Sequence, residues 1–334
     1  MVSMKDIAAK CGVSVATVSK ALNNHSDIGE DTKKIICETA QSMGYFPNSS
    51  ARALKTKRTF NIGVLFMDEG MSGLTHDYFS HVLDSFKRFA EESGYDITFI
   101  NARSHKMTYL EHSRYRGVDG VVIACVDFGD PNVIGLINSD LPVVTIDHVF
   151  DNRISVISDN IGGMRELVKH IYSLGHRKIA YIYGDNTAVT KNRLASFYNT
   201  LQSLGVETPE EYVVASSYRN PERAIECTKK ILELKDRPTC ILYPDDYSAI
   251  GGLTEIRREG LSVPNDISVV GYDGLFVSQI INPKLTTYEQ NTEDIGKIAA
   301  KSLIRMMKDQ KSTLIEKIVV PGSIVLGESV ARLG

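Results

Sequence analysis

Apolar positions recur along the chain first at helical spacing and later in short buried runs. From Ser3 to Cys11, Ile7, Ala8 and Cys11 share one side. Ser3 followed by Asp6 reads as a capping box at the start of this helix. Gly12-Val13 makes a turn, and Ser14 is placed to cap a second helix. In that helix Val18, Ala21 and Leu22 face the first one, while Val15, Ala16, Ser19, Lys20 and Asn23 share the opposite side. A third helical pattern runs from Glu30 to Met43, with Ile35, Ile36, Thr39, Ala40 and Met43 as its apolar stripe and Gly44 as its stop. The outward face of the second helix is small and polar with one cation. Such a face fits a major groove and can set hydrogen-bonding groups against base edges. It equally suits an ordinary helical hairpin with a solvated face.

From Phe60 the pattern changes to strand-like runs alternating with helices. Asn61–Phe66, Ile97–Ile100, Gly120–Ala124 and Pro142–Asp147 read as strands, with helices at 78–93, 107–115 and 131–138 between them. A second series begins with a helix at 160–174. Its strands are Lys178–Tyr183, Tyr212–Val214, Thr239–Tyr243 and Ile267–Tyr272, with helices at 191–204, 221–234 and up to Glu259. Leu285–Tyr288 and a helix at 292–307 are expected to return to the first series, and Ile318–Val320 and Ile324–Leu326 close the chain as strands. Such alternation predicts α/β architecture with two parallel sheets, each covered by helices on both faces. Two sheets side by side suit a two-lobed body with a ligand cleft between the lobes.

Charge is distributed unevenly over the 334 residues. Residues 1–58 carry nine Lys and Arg against five acids, a net +4, whereas the remainder carries 29 against 36, a net −7. A basic front on an acidic body is what a phosphate-binding module on a sensor would show. The five cysteines are scattered, with no close pair at ligand spacing, so reduced and mostly packed thiols in a cytoplasmic protein are expected. No charged-then-apolar leader and no run of membrane-spanning length is present. Neither metal nor cofactor is expected.

Together, Asp6-Ile7-Ala8, Gly12-Val13-Ser14, Ala16-Thr17-Val18-Ser19, Asn23, Gly44-Tyr45, Pro47-Asn48 and Ala51-Arg52-Ala53-Leu54 resemble the DNA-binding headpiece of the LacI/GalR family of bacterial repressors. The body resembles that family's periplasmic-binding-protein-like core, so the likeness covers essentially the whole chain. It implies a helix-turn-helix headpiece at 1–46, a hinge helix and linker at 47–59, and an effector-binding and dimerisation core at 60–334. Lobe 1 of the core would span about 60–159 and 287–320, and lobe 2 about 160–286 and 321–334. DNA contacts are then expected from Ser14, Val15, Ala16, Ser19, Lys20, Asn23 and Tyr45. In the hinge, Asn48 would cap a helix of two turns, too short to be stable alone in water. Ala51 would let two hinge helices meet, and Leu54 would wedge between base pairs of the minor groove.

In open α/β sheets ligands sit beyond the C-terminal ends of strands. That rule singles out Asp147, Asp245, Asp246 and Asp273, with polar loops at Thr75–Phe79 and Thr190–Arg193. The resemblance points to the same places, and the expected effector contacts are His76, Tyr78, Phe79, Asp147, Arg193, Asp245 and Asp273. A carboxylate and a guanidinium facing each other can grip hydroxyl groups. For Asp147 and Asp245, capping of the next helix is an equally good reading.

Several positions depart from the family pattern. Lys20 stands where Arg is usual and lacks the bidentate fork that reads guanine. Gly29 offers no side chain to cap the third helix, Asp245 replaces a common Asn, and Ser196 a glycine. With no Trp in the chain, any stacking platform must be Tyr or Phe. No Gly-x-Gly-x-x-Gly after the first strand, phosphate loop, His-Glu-x-x-His or Gly-x-Ser-x-Gly is found, which argues against an enzyme. The expected function is that of a cytoplasmic, homodimeric repressor of carbohydrate genes. It would bind a pseudo-palindromic operator and answer to a small effector, a sugar or sugar phosphate. A purine- or nucleoside-responsive regulator, a corepressor-dependent one, and a sugar-binding transport protein are the alternatives. The end at Gly334 without a heptad tail favours a dimer over a tetramer.

Overall fold

The computed structural model describes residues 2–46, 53, 58–67, 73–101, 107–309 and 313–333. The chain divides into two compact units, 1–59 and 60–334.

The first unit is a trihelical cluster of α1 (Met4–Cys11), α2 (Val15–Leu22) and α3 (Glu30–Ser42). The Asp6 carboxylate accepts from both the Ser3 backbone N–H and its hydroxyl, each at 2.8 Å. Gly12 closes α1 with a positive φ of 65°, a conformation glycine adopts without a Cβ penalty. The Ser14 hydroxyl accepts from the Thr17 N–H at 3.0 Å and so caps α2. Gly29 leaves α3 without a side-chain cap. Ile7, Ala8, Val18, Ala21, Ile36 and Ala40 form the small core. Ile35, expected on the apolar stripe of α3, is 57% exposed instead. Its neighbour Ile36 occupies the inward position, and consecutive helical residues diverge by about 100°.

In the second unit β1 (Asn61–Phe66) leads through a 3-10 turn at Gly73–Thr75 into α4 (Asp77–Glu92), then β2 (Asp96–Ile100), α5 (Tyr109–Tyr115), β3 (Gly120–Ala124), α6 (Pro131–Ile137), β4 (Val143–Ile146) and β5 (Ile154–Ser158). The sequence reading missed β5. Its five residues are all buried, and the preceding Asp151-Asn152 turn separates it from β4 by only a few residues. The second series is α7 (Asn160–Ser173), β6 (Ile179–Tyr183), α8 (Ala188–Ser203), β7 (Val213–Ala215), α9 (Pro221–Leu232), β8 (Cys240–Leu242), α10 (Asp246–Arg258), β9 (Ser268–Val270) and α11 (Phe276–Ile280). The chain ends with β10 (Thr287–Glu289), α12 (Thr292–Lys308), β11 (Lys317–Val320) and β12 (Ser323–Val325).

Two parallel sheets result. Lobe 1 has the order β11-β5-β4-β3-β1-β2, and lobe 2 has β7-β6-β8-β9. Val64 of β1 lies beside Phe99 on one side and Val122 on the other. Central strand β3 is apolar and buried along its whole length, as cover on both faces requires. Helices α12 and α4 pack closely over the first sheet. Gly296 permits it, because a Cβ there would stand 2.3 Å from the Val82 carbonyl oxygen.

The chain passes between lobes three times: at Ser158–Asn160, after β10, and between β11 and β12. Strand β10 does not join the first sheet, as the sequence reading had it. It pairs antiparallel with β12, and bridges at Val270–Thr286 and Asp273–Glu289 fasten it to lobe 2. The return to lobe 1 begins only at Asn291, which caps α12.

Candidate functional site

Capping and packing of α2 fix what the headpiece exposes. With Val18 and Ala21 buried, the opposite side presents Val15, Ala16, Lys20 and Asn23 to solvent, with Ser19 half-buried among them. Asn23 donates its side-chain N–H to the Ser19 carbonyl at 2.7 Å, closing the helix. Lys20 is held 2.5 Å from Asp27, an exposed pair. The hydrogen bond from Lys20 holds the Asp27 carboxyl below its usual pKa. Ser14 points its hydroxyl at the helix end, and Tyr45 packs partly against the headpiece core. The expected hinge residues Asn48, Ala51 and Leu54 lie outside the described residues.

In the core, a cavity of about 450 Å³ opens between the C-terminal ends of the two sheets. Its lobe 1 wall starts with His76, just before α4, and with Tyr78 and Phe79 in the first turn of that helix. Phe79 lies edge-on to both neighbours, with ring centroids 4.9 Å away in each case. The Tyr78 hydroxyl donates to Asp147 at 2.7 Å, and the Ser158 N–H donates to the other oxygen of that carboxylate at 3.1 Å. Asp147 directly follows β4 and lies in the left-handed region, with φ of 59°. Burial raises its pKa, opposed by the Tyr78 and Ser158 hydrogen bonds. Beside it, His148 stacks on Phe128 with centroids 4.2 Å apart and planes 10° from parallel.

Arg193 and Asp273 anchor the lobe 2 wall. Arg193 on α8 is 3% exposed. Its Nε donates to Asn160 at 2.8 Å, its Nη1 donates to the Pro244 carbonyl at 2.9 Å, and the guanidinium lies over the Tyr272 ring at 3.5 Å. Nη2 stands 4.0 Å from Asp273 Oδ1. Burial works against its charge, but the oxygens of Tyr272 and Tyr218 and the Asp273 carboxylate outweigh this and its pKa is raised. Asp273 follows β9 with φ of 102° and accepts from Gln290 at 2.6 Å. Its pKa is pushed up to about 7 by burial and by Asp245 and Asp147, against the pull of Arg193 and Gln290.

Six of the seven expected effector residues therefore line one cavity: His76, Tyr78, Phe79, Asp147, Arg193 and Asp273. Asp245 does not. It is fully buried behind the wall, and its carboxylate is used up capping α10 through the Ser248 N–H and hydroxyl and accepting the Arg219 N–H, all at 2.8–2.9 Å. Its neighbour Asp246 is buried likewise, accepting from Thr287 and the Leu275 N–H at 2.7 Å each. The cavity adds residues that sequence reasoning passed over: Phe128, His148, Asn160, Asp185, Arg219 and Gln290. The strand-end rule, applied to β6 and to the residue after Asp147, would have found Asp185 and His148. Phe128 and Gln290 carry no such signal. Among the described residues no cluster of His, Cys, Asp or Glu could hold a metal ion, and no helix is long and apolar enough to cross a membrane.

Comparison with known proteins decides what this arrangement belongs to. Residues 3–48 match the bacterial regulatory proteins of the lacI family, and residues 168–330 match a periplasmic binding protein-like domain. The HTH-type transcriptional repressor PurR of Mannheimia succiniciproducens is 30% identical over the full length of both chains. The chain belongs to the LacI family. The probable HTH-type transcriptional repressor ExuR of Bacillus subtilis is also 30% identical, over all of this chain and 99% of its own. In structure, the lac repressor dimer bound to operator and the anti-inducer ONPF matches with a TM-score of 0.82 and 25% identity, covering 99% of each chain. This LacI-family protein is thus a DNA-binding transcriptional repressor with an effector-binding core. The relatives are repressors rather than enzymes.

Proposed function

We propose that this repressor works as a cytoplasmic homodimer whose effector is an uncharged, polyhydroxylated molecule of sugar size, bound between the lobes. The observation that carries the effector class is the charge inventory of the cavity. Asp147, Asp185 and Asp273 face it against Arg193 and Arg219. Arg193 is already engaged by Asn160, Pro244 and Tyr272, and Arg219 stands 3.5 Å from Asp77. A phosphate or carboxylate would meet acids without a spare cation among the described residues. Hydroxyl groups would instead donate to Asp147 and Asp273 and accept from the two Arg193 Nη2 protons, which no hydrogen bond among the described residues takes up, while Phe79 and the Phe128–His148 stack offer apolar faces to a ring. This narrows the sugar or sugar phosphate of the sequence reading to the unphosphorylated member.

The exposed face of α2, with Val15, Ala16, Ser19, Lys20 and Asn23, is the part that reads base edges, with Ser14 and Tyr45 beside it. Asn48, Ala51 and Leu54 are assigned to the hinge from the resemblance alone. A two-fold protein suits a two-fold operator. Phe276 and Ile280, one turn apart on α11 and 79% and 64% exposed, suit a surface covered in a pair. A reduced compartment suits five free cysteines.

A thermal-shift panel tests the effector class, because a ligand bound to the folded state alone raises Tm by mass action. Neutral mono- and disaccharides should include the compound that raises Tm and alters operator binding. A response confined to sugar phosphates, uronates or nucleosides would overturn the assignment.

A further inference from the structure

The loop between β7 and α9 is held in an unusual way. Its Tyr218 N–H donates to Asp185 at 3.0 Å, and the next N–H, that of Arg219, donates to Asp245 at 2.8 Å. Two carboxylates thus hold consecutive backbone donors of one loop, with Arg219 in the left-handed region at φ of 53°. Few arginines adopt that conformation, and here a fully buried carboxylate fixes it. The consequence is directional. The Arg219 side chain leaves lobe 2 along the cavity wall and reaches lobe 1, where its Nη2 donates to the Thr75 carbonyl at 3.3 Å and lies 3.5 Å from the Asp77 carboxylate. Tyr247, at the start of α10, sits 5.7 Å from the same guanidinium and hydrogen-bonds Asp77, which raises the tyrosine pKa after burial. Asp77 is the first residue of α4, so the helix N-terminus favours its negative charge.

We infer that Arg219 and Asp77 form a polar latch that closes the effector cleft, with Asp245 and Asp185 as the positioning residues that aim Arg219 across it. The inference rests on the assignment of this cavity as the effector site. It gives Asp245 a role that its distance from the cavity denies it as a ligand contact. Both latch side chains are partly exposed, 21% and 37%, so the pair is weak enough to open and shut reversibly and is weakened by salt. A latch of this strength lets a small ligand shift the balance between open and closed lobes.

Cys125 supplies a natural probe, since it lies on the cavity wall. Its rate of alkylation by N-ethylmaleimide, followed in the full-length chain by mass spectrometry of the modified peptide, reports how often the cleft opens. Arg219→Gln and Asp77→Asn should each raise that rate several-fold. The double variant should react no faster than either single one, and 1 M KCl should accelerate the parent protein but not the variants. Unchanged rates in both single variants would overturn the latch, as would effects that multiply in the double variant. The measurement uses no effector, so its failure leaves the ligand-class assignment standing and the thermal-shift panel tests that separately.

Discussion

In the headpiece, the side chains proposed to meet DNA stand outside a minimal core; in the effector core, those proposed to meet a ligand stand inside a large one. Val15, Ala16, Lys20 and Asn23 are exposed, and among the described residues six buried apolar side chains hold up the surface that carries them. Arg193 and Asp273 sit among buried groups that take up part of their hydrogen-bonding capacity before any ligand arrives. The two regions should therefore fail differently. Damage to the headpiece removes DNA binding by unfolding a small unit, whereas damage to the cleft residues disturbs stability and effector recognition together.

The sharpest way to break the contrast is Ile36→Ala. Large-to-small changes in a core cost about 2–5 kcal/mol, and a unit this small has little to spare. Operator binding, followed by fluorescence anisotropy, should be lost, while the effector-induced rise in Tm of the core persists. Arg193→Ala comes next. It strands the Asn160 and Pro244 acceptors and Asp273, and breaking a buried charge pair costs about 3–5 kcal/mol. The core should melt markedly earlier and its effector response should vanish, with headpiece signals in NMR unchanged. If the core instead melted normally, the buried wiring of Arg193 would not be what supports lobe 2.

Asp273→Asn separates charge from packing through pH. A carboxyl whose folded pKa is about 7 adds stability that is whole below its unfolded pKa near 3.8 and lost as pH rises through 7. Melting of the parent protein should therefore fall relative to Asp273→Asn between pH 4 and 7, and the difference should flatten above 7. A hydroxyl donates more strongly to Asp273 in its ionised form, so effector affinity in the parent should climb with pH up to about 7 and lose that slope in the variant. The smallest effects belong to the headpiece surface. Asp27→Ala frees Lys20 and should tighten non-specific duplex binding a few-fold at low salt, and Lys20→Ala should relax base preference at one position per half-site in a selection experiment. Ser14→Ala removes the α2 cap for about 1 kcal/mol.

Legibility followed the same divide. The headpiece is local: capping residues, apolar stripe and exposed face lie within one helical repeat of each other, so Ser14, Val18 and Lys20 could be placed from spacing. Ile35 was misplaced because two adjacent isoleucines leave the choice of inward residue to tertiary packing. The cavity draws on residues from 76 to 290, and only those at strand ends announce themselves. Asp245 satisfied the strand-end rule and still turned away, because the same position is also a helix N-cap and the cap won. Strand β5 went unseen because a tight turn runs it close behind β4, and Thr287 was put on the wrong lobe because three crossings leave no mark in hydropathy.

Those crossings also order events during synthesis. The first sheet takes its edge strand, β11, and its covering helix, α12, from residues 292–320. A growing chain can complete the trihelical unit almost as soon as it leaves the ribosome, yet must wait until Val320 has been added to finish the lobe begun at residue 60. A prematurely terminated product would keep its DNA-reading end and lack a finished sensor.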